Sequence, residues 1–276
     1  MHNGGYARED VLVDPVWLEE HLHDPALRLV EVDVNPLAYD EGHIPGAVLW
    51  NIYRDLRDSG YGLVDADEIE KLISRSGIDA GSTVVFYGYG PALGFWLMKL
   101  YRHADVRILD CSRDAWKAAD RPWTTEVPVP SMTRYHLPEP DHALRADQKA
   151  VEEAIGESNV TILDVRTDLE FRGERFWPSG GMEPGGRAGH VPSAVNQAID
   201  GLRDDEGAFR SAADVRHVLA KADQSAGELV TYCTVGSRAC TTWFALTYLL
   251  GRDNVRVYDG SWAQWGRMAQ TPVETG

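Results

Sequence analysis

Cys233 is the residue whose type and position are best suited to chemistry. It follows the apolar run Leu229-Val230-Thr231-Tyr232 and opens the loop Cys233-Thr234-Val235-Gly236-Ser237-Arg238, and a helical pattern then runs from Cys240 to Leu250. A thiol at a helix N-terminus lies near unpaired N–H groups and the positive end of the helix dipole, which favour an anion. Arg238 adds a positive charge, so the pattern favours the nucleophilic thiolate. A small buried hydrophobic cysteine is the alternative.

The segments that surround this loop occur twice in the chain. Gly42-His43-Ile44-Pro45-Gly46-Ala47 corresponds to Gly189-His190-Val191-Pro192-Ser193-Ala194, and Val84-Val85-Phe86-Tyr87 corresponds to the run before Cys233. Two further pairs are Leu29-Val30-Glu31-Val32-Asp33 with Ile162-Leu163-Asp164-Val165-Arg166, and Val106-Arg107-Ile108-Leu109-Asp110 with Val255-Arg256-Val257-Tyr258-Asp259. The order of the segments is kept, so chance is a poor explanation and we interpret the chain as two related halves.

Each half alternates short β-branched runs with longer helical patterns, which is typical of βαβ units on a parallel sheet. We therefore predict an α/β fold with two tandem domains, each a mainly parallel sheet flanked by helices. The apolar segments Leu93 to Tyr101 and Trp243 to Leu250 are predicted to be largely buried helices. Closely spaced prolines favour an extended linker, so we place the domains at residues 1–125 and 143–276 and the linker at residues 126–142.

Composition and charge exclude several classes of function. The 276-residue chain has a formal net charge of −16 and no basic stripe, which argues against nucleic acid as a partner. It has no apolar stretch long enough to span a membrane and its start lacks a signal-peptide pattern, so we expect a cytoplasmic protein. Cys111, Cys233 and Cys240 are too few for a disulfide scaffold. No CxxC pair, HExxH or P-loop occurs, so no metal, nucleotide or other cofactor is expected.

On these motifs the chain resembles the rhodanese family, specifically its tandem-domain sulfurtransferases, from about Val11 to Met268. The resemblance is carried by the paired Gly-His-Ile/Val-Pro segments, the loop from Cys233 to Arg238 and the closing Asp259-Gly260-Ser261-Trp262. In that family the N-terminal domain has usually lost its cysteine, and here Gly88 stands at the place of Cys233. The resemblance implies a catalytic C-terminal domain and a non-catalytic N-terminal domain.

The length of the loop distinguishes two chemistries on this fold. Four residues separate Cys233 from Arg238, as in sulfur-transferring rhodaneses, whereas the related cell-cycle phosphatases have one residue more. A phosphate needs a wider ring of N–H donors than a terminal sulfur does. The resemblance therefore implies a persulfide on Cys233, with thiosulfate as the small-molecule donor and cyanide or a cellular thiol as the acceptor. A protein acceptor is left open, and the residues expected to hold the persulfide are Thr234, Val235, Gly236 and Ser237.

Charged residues near the loop are assigned roles by the same resemblance. Arg238 either faces the bound anion or ties the loop to the body of the domain, and both interpretations are kept. Arg172 resembles a family arginine that contacts the oxyanion of the donor, and a solvated surface arginine is the alternative. Asp164 and Glu170 are expected to support the site by orienting Arg172 or Arg238, although carboxylates at a strand end are often only surface groups.

Several other residues have a structural interpretation beside a functional one. The glycine-rich residues 173–189 are expected to form a mobile rim over the persulfide, although Phe176 and Trp177 are expected to pack between the domains. His43 and His190 occupy matched positions in both halves, which indicates a structural role. Cys240 is interpreted as a packing residue, with oxidative pairing to Cys233 as the alternative. Cys111 is also expected to be a core residue.

Three alternatives for the function remain at this stage. Thr234 directly after the cysteine matches neither the basic residue common in thiosulfate-using relatives nor the glycine common in mercaptopyruvate-using ones. 3-Mercaptopyruvate is therefore the alternative donor to thiosulfate. A non-catalytic rhodanese-like module that binds a partner is the alternative from another class, and the intact Cys233 and Arg238 argue against it. A phosphatase or arsenate reductase is disfavoured by the loop length.

Overall fold

Two β-sheets, one in each half of the chain, form the framework of the computed structural model, which describes residues 4–276. The strands are β1 (Leu12–Val13), β2 (Leu27–Asp33), β3 (Val48–Asn51), β4 (Thr83–Gly88), β5 (Val106–Leu109), β6 (Val160–Asp164), β7 (Val195–Asn196), β8 (Glu228–Tyr232) and β9 (Val255–Val257). Within the described residues, the first sheet has the order β1-β5-β4-β2-β3 and the second the order β7-β6-β8-β9. All their strand pairs are parallel. These sheets confirm the predicted α/β fold.

Helices connect the strands and cover both sheets. They are α1 (Pro15–His21), α2 (Pro36–Asp40), α3 (Ile52–Leu56), α4 (Ala66–Arg75), α5 (Pro91–Leu100), α6 (Arg113–Ala118), α7 (Gln148–Ala154), α8 (Asp168–Phe171), α9 (Ala212–Val218), α10 (Ala220–Gln224), α11 (Ser237–Phe244) and α12 (Ser261–Trp265). A 3₁₀ turn covers His142–Leu144, and a π-helical turn covers Ala245–Leu249. No described helix is long and apolar enough to cross a lipid bilayer.

Side-chain caps fix where many of these helices begin. Asp14 accepts a hydrogen bond from the backbone of Trp17 at the start of α1, and Asp65 accepts one from Glu68 at the start of α4. At α8 the hydroxyl of Thr167 and the carboxylate of Glu170 form a reciprocal capping box. Such caps satisfy N–H groups that have no partner inside the helix. The capping box at α8 also fixes the position of the Glu170 side chain.

The two halves pack through the helices that follow the central strands β4 and β8. Phe95 on α5 contacts Trp243 and Phe244 on α11, with ring centroids 6.1 and 4.9 Å apart. Buried residues of both halves form one continuous hydrophobic cluster around this contact. The buried helix predicted from Leu93 is confirmed, and Pro91 is its first residue. The helix predicted from Cys240 begins earlier, at Ser237, and ends in the π-helical turn.

The segment between the halves is extended. No α-helix or β-strand lies between Ala118 and His142 in the described chain, which agrees with the prolines of this segment. It is fastened to the first half, because the backbone of Thr133 donates to the Ser74 carbonyl and that of Leu137 donates to the Glu70 carboxylate. The limits 1–125, 126–142 and 143–276 stay a prediction.

Candidate active site

Cys233 lies at the carboxyl end of β8, where the chain turns directly into α11. Gly236 makes this turn with a φ of +88°, in the left-handed region that side chains rarely adopt, and Ser237 is the first residue of α11. An added Cβ at Gly236 would meet Nη2 of Arg57 at 2.5 Å and the backbone oxygen of Asp259 at 2.8 Å. The loop therefore requires glycine for both its conformation and its close contact with neighbouring groups.

One backbone N–H group of the loop points at the sulfur, and three others have no protein acceptor in the described part of the chain. The N–H of Gly236 donates to Sγ of Cys233 over 3.2 Å. Among the described residues, no protein acceptor is bonded to the N–H groups of Thr234, Val235 and Ser237. Free N–H donors at the start of a helix are suited to an anion. The loop predicted to hold a persulfide thus has donors available for one.

The segment after β9 holds the Cys233 loop through hydrogen bonds. The hydroxyl of Ser261 accepts a hydrogen bond from the N–H of Cys233 over 3.1 Å and donates to the Tyr258 carbonyl over 2.9 Å. The N–H of Trp262 donates to the Cys233 carbonyl, and the N–H of Ala263 donates to the Thr234 carbonyl, each over 2.9 Å. The closing Asp-Gly-Ser-Trp motif therefore fixes the backbone on both sides of the sulfur.

Cys233 forms part of the wall of a cavity of about 210 Å³ between the two halves, although the whole residue is only 1% exposed. The first half contributes Val34, Tyr53 and Tyr89, and the second half contributes Trp177, Pro178, Ser179 and loop residues 233–235, 237 and 238. Arg238 is the charged side chain in this lining. The sulfur is therefore enclosed by aromatic groups yet reachable from a small cavity. The sequence analysis did not identify Tyr53 and Tyr89.

Arg238 is held by a buried carboxylate. Its guanidinium donates to both oxygens of Glu170, over 2.9 and 2.7 Å, and to the Thr234 hydroxyl over 2.7 Å. The Thr234 hydroxyl donates in turn to Glu170 over 2.7 Å. Burial alone would raise the pKa of Glu170, but the hydrogen bonds and charge of Arg238, helped by Thr234 and Thr167, lower it to about 2. Arg238 therefore ties the loop to α8 and also lines the cavity.

Asp164 supports a different arginine from the two that were considered. Its carboxylate accepts hydrogen bonds from Arg166, the shortest over 2.6 Å, and one from the Tyr232 hydroxyl over 2.5 Å. The Arg166 guanidinium lies 4.5 Å from the ring of Trp262, and both charged side chains are fully buried. Asp164 ends β6, and its carboxylate also accepts from the backbone N–H of Arg166 two residues later, a local pattern that was the available signal for this pair. Asp164 thus stiffens the sheet end beneath the loop.

Arg172 is not brought to the cavity. Its side chain is 45% exposed and pairs with Asp168 over 2.9 Å and with Glu174 over 3.2 Å. Glu170, two residues before it, points to Arg238 instead. The position of Arg172 therefore matches the alternative interpretation, a solvated surface arginine.

The aromatic residues of the glycine-rich rim have different positions. Phe176 is fully buried in the second half, whereas Trp177 lines the cavity, and its ring centroid lies 6.2 Å from that of Tyr61 in the first half.

The matched histidines are structural in their contacts. His43 stacks on Tyr39 with centroids 3.8 Å apart, and His190 stacks on Phe171 at 3.6 Å.

The other two cysteines lie outside the cavity lining. Cys240 is fully buried on α11, and burial raises the pKa of its thiol well above the ordinary value. Burial, together with Glu206, raises the pKa of Cys111 to about 11. Both thiols are therefore poor nucleophiles at neutral pH. Cys240 is a buried packing residue, as expected, whereas Cys111 is only partly buried at the edge of a core cluster.

The place in the first half that corresponds to Cys233 has no room for a side chain. Gly88 ends β4 with a φ of +99°. An added Cβ would lie 2.9 Å from Cγ of Glu31 and 3.0 Å from the carbonyl oxygen of Val32.

Comparisons with known proteins show which family the chain resembles. A model of the Rhodanese-like domain matches residues 14–119 and again residues 147–268. The chain is 39% identical to the "Putative thiosulfate sulfurtransferase" of Haloferax volcanii, with 100% of both chains covered. It is 38% identical to the "Sulfur carrier protein TtuD" of Thermus thermophilus, with 99% of both chains covered.

Solved structures show the same fold at lower identity. A wild-type structure of EanB superposes with a TM-score of 0.84 at 23% identity, covering 97% of this chain and 69% of that one. A structure of YnjE gives 0.83 at 22% identity, covering 96% and 68%. Two matched domains and full-length relatives near 38% identity carry the assignment. The chain belongs to the rhodanese family and contains two rhodanese-like domains in tandem.

Proposed function

We propose that this chain transfers a sulfane sulfur from thiosulfate to a thiophilic acceptor through a persulfide on Cys233. Membership of the rhodanese family and relatives named as thiosulfate sulfurtransferases support sulfur transfer at the level of the family. The observation that carries the proposal is the Gly236 N–H that donates to Sγ of Cys233, which lies in the wall of a small cavity. A sulfur held in this way is prepared to carry negative charge.

The reaction balances in two displacement steps. The Cys233 thiolate attacks the outer sulfur of thiosulfate, a sulfur–sulfur bond forms, and the donor's own sulfur–sulfur bond breaks. Sulfite leaves with the electron pair of that bond, and a cysteine persulfide anion remains on the enzyme. Cyanide or a thiolate then attacks the terminal sulfur, and the persulfide bond to Cys233 breaks. The product is thiocyanate or a new persulfide, and the Cys233 thiolate is regenerated. A covalent intermediate of this kind gives ping-pong kinetics.

The loop amides and Arg238 are the groups that would stabilise the charge in these steps. The N–H groups of Thr234, Val235 and Ser237 are available to the terminal sulfur, because no protein acceptor in the described chain takes them. Arg238 lines the cavity while Glu170 fixes its orientation. A preorganised donor costs no rearrangement when charge develops. The first half would then contribute walls and no nucleophile, since Gly88 stands where a cysteine would be needed.

Thiosulfate is the proposed donor, with 3-mercaptopyruvate as the alternative. The cavity of about 210 Å³ suits a small donor of either kind. The Thermus thermophilus relative is named as a sulfur carrier, which supports a protein as one further class of acceptor.

The proposal is tested by loading the protein with sulfur. Wild-type protein is incubated with thiosulfate, the reagent is removed, and the intact mass is measured. We expect one added sulfur atom on wild type and on the matched control Cys111→Ser, and none on Cys233→Ser. Hydrolysis of an aryl phosphate without sulfur loading would instead support a phosphatase. Absence of both activities would leave a partner-binding module.

The donor is identified by comparing kcat/KM for thiosulfate and 3-mercaptopyruvate. We expect thiosulfate to be favoured by at least about tenfold in the wild-type protein. Thr234→Gly removes the hydroxyl that bridges Arg238 and Glu170, so the ratio should shift toward 3-mercaptopyruvate. An unchanged ratio would show that position 234 does not select the donor.

A further inference from the structure

We propose that Arg57, contributed by the first half of the chain, is a positioning residue that orients the peptide group facing Cys233. The inference rests on the proposed function only in taking Cys233 as the nucleophile. Arg57 follows α3, and its side chain is 1% exposed. It reaches across the boundary between the halves to the underside of the loop.

The contact is made with one particular peptide group. Nη2 of Arg57 donates to the Val235 carbonyl over 2.8 Å, and the N–H of the same peptide, on Gly236, donates to Sγ of Cys233 over 3.2 Å. The peptide is trans, so its C=O and N–H point in opposite directions from one rigid plane. Holding the carbonyl on one side therefore aims the N–H at the sulfur on the other.

The guanidinium also adds charge at this point. Nε and Nη1 of Arg57 are buried without a hydrogen-bond partner among the described residues, and the nearest carboxylate oxygen, on Asp259, is 3.6 Å from Nη1. Asp259 is shared, because it also accepts from Arg145 over 2.6 Å and from the backbone of Leu63 over 3.1 Å. A cation bonded to a carbonyl polarises the peptide and strengthens its N–H as a donor. Arg57 thus acts on the sulfur through the backbone.

The duplicated architecture supplies an internal comparison. Leu56-Arg57-Asp58 corresponds to Leu202-Arg203-Asp204, and each arginine opens a hairpin with a backbone bridge, Arg57 with Leu63 and Arg203 with Phe209. Each hairpin docks on the other half in the same way. The N–H of Leu63 donates to Asp259, and the N–H of Phe209 donates to the equivalent Asp110.

The two arginines differ in what their side chains do. Arg203 donates to the Gly207 carbonyl of its own hairpin and stacks on Phe209, with its Cζ 3.9 Å from the ring centroid. In the described residues, no hydrogen bond of the Arg203 side chain reaches a backbone carbonyl of the other half, although Asp110 of that half acts on its charge. Arg57 makes that contact in the half that holds the cysteine, which points to a role beyond packing.

The experiment measures the reactivity of Cys233 directly in the full-length protein. The rate of Cys233 alkylation by iodoacetamide is followed at neutral pH without any sulfur donor, and the labelled peptide is identified by mass spectrometry. The variants are Arg57→Gln, Arg57→Lys and the matched control Arg203→Gln. Kinetic constants for thiosulfate and the thermal midpoint of unfolding are recorded for each.

Arg57→Gln should slow alkylation of Cys233 and lower kcat by about tenfold or more, because the donor to the sulfur is no longer fixed. The KM for thiosulfate should change by less than about threefold, since Arg57 does not line the cavity. Arg57→Lys should recover part of both rates. Arg203→Gln should lower the thermal midpoint while leaving alkylation within about twofold of wild type.

Two results would overturn the inference. One is a rate of Cys233 alkylation in Arg57→Gln that equals the wild-type rate. The other is a fall in the alkylation rate of Arg203→Gln that equals the fall in Arg57→Gln. If Arg57→Gln does not fold, alkylation of Arg57→Lys decides, because a rate equal to that of wild type would contradict a role for the guanidinium. A chain that loads no sulfur but shows the Arg57 effect on alkylation would refute the proposed function and leave this inference standing.

Discussion

Replacing Glu170 with glutamine should destabilise the fold in a way that depends on pH. Glu170 is fully buried and holds Arg238, whose side chain is 20% exposed, through two hydrogen bonds. The net effect of these contacts lowers the pKa of Glu170 from its ordinary 4.5 to about 2. A shift of this size corresponds to about 3 kcal/mol of stability at neutral pH. Removal of one partner from a buried ion pair costs about 3–5 kcal/mol, which agrees.

The sign of the pH dependence follows from the lowered pKa. The stabilisation by Glu170 is complete above the ordinary pKa of 4.5 and is lost as the pH falls toward about 2. The difference in unfolding free energy between wild type and Glu170→Gln should therefore be largest at about pH 7. It should narrow by about 1.4 kcal/mol at about pH 3.5, where the unfolded state takes up the proton.

Urea unfolding followed by tryptophan fluorescence at the two pH values measures this difference. Glu174→Gln is the matched control, because Glu174 lies near Glu170 in the chain and pairs with Arg172 while its side chain is 55% exposed. The control should stay within about 0.5 kcal/mol of wild type. A Glu170→Gln protein as stable as wild type at neutral pH, or a difference that does not change with pH, would refute the reasoning.

Three further predictions concern the loop, Arg172 and the remaining thiols. Gly236→Ala should lose most sulfur loading, because its Cβ would meet a buried guanidinium at 2.5 Å, and a urea titration should show a loss of about 1–3 kcal/mol of stability. The control Gly180→Ala, which has open space around its Cβ, should lose only about 1 kcal/mol in the same titration. Arg172→Gln should change the thiosulfate kcat/KM by less than about threefold in a steady-state assay, since its side chain lies outside the cavity lining. Peptide mapping after alkylation should show that the labelling rate of Cys111 rises about tenfold for each unit of pH up to its pKa of about 11. Cys240 should be labelled only after the protein unfolds. Labelling of Cys240 in the native protein would show that α11 opens.

The sequence was sufficient to predict the parallel sheets, the duplication and the loop around Cys233. These follow from local patterns, such as the β-branched run before the cysteine and the glycine at position 236. It also offered Glu170 as a carboxylate for Arg238, which the structure brings together over 2.7 Å. The capping box at α8 fixes the position of Glu170 within the second half.

Contacts between the halves were not predictable from the same patterns. Arg57 reaches Val235, and Tyr53 and Tyr89 line the cavity beside Cys233, because α5 packs on α11 and closes the two halves over the loop. Local periodicity carries no information about such docking. The repeated Leu-Arg-Asp segment before each hairpin was a visible signal, but its meaning depends on knowing that each hairpin crosses to the other half.

The backbone at Gly88 would make the proposed division of roles between the two halves difficult to reverse. Any side chain there would begin 2.9 Å from Glu31 on β2, in a conformation that favours glycine. A protein engineer who wanted two reactive thiols in one chain would have to shorten residue 31 and reshape that turn before adding a cysteine. Under the proposed function, the duplicated first half would thus be a second scaffold with no space for a second reactive cysteine at this position.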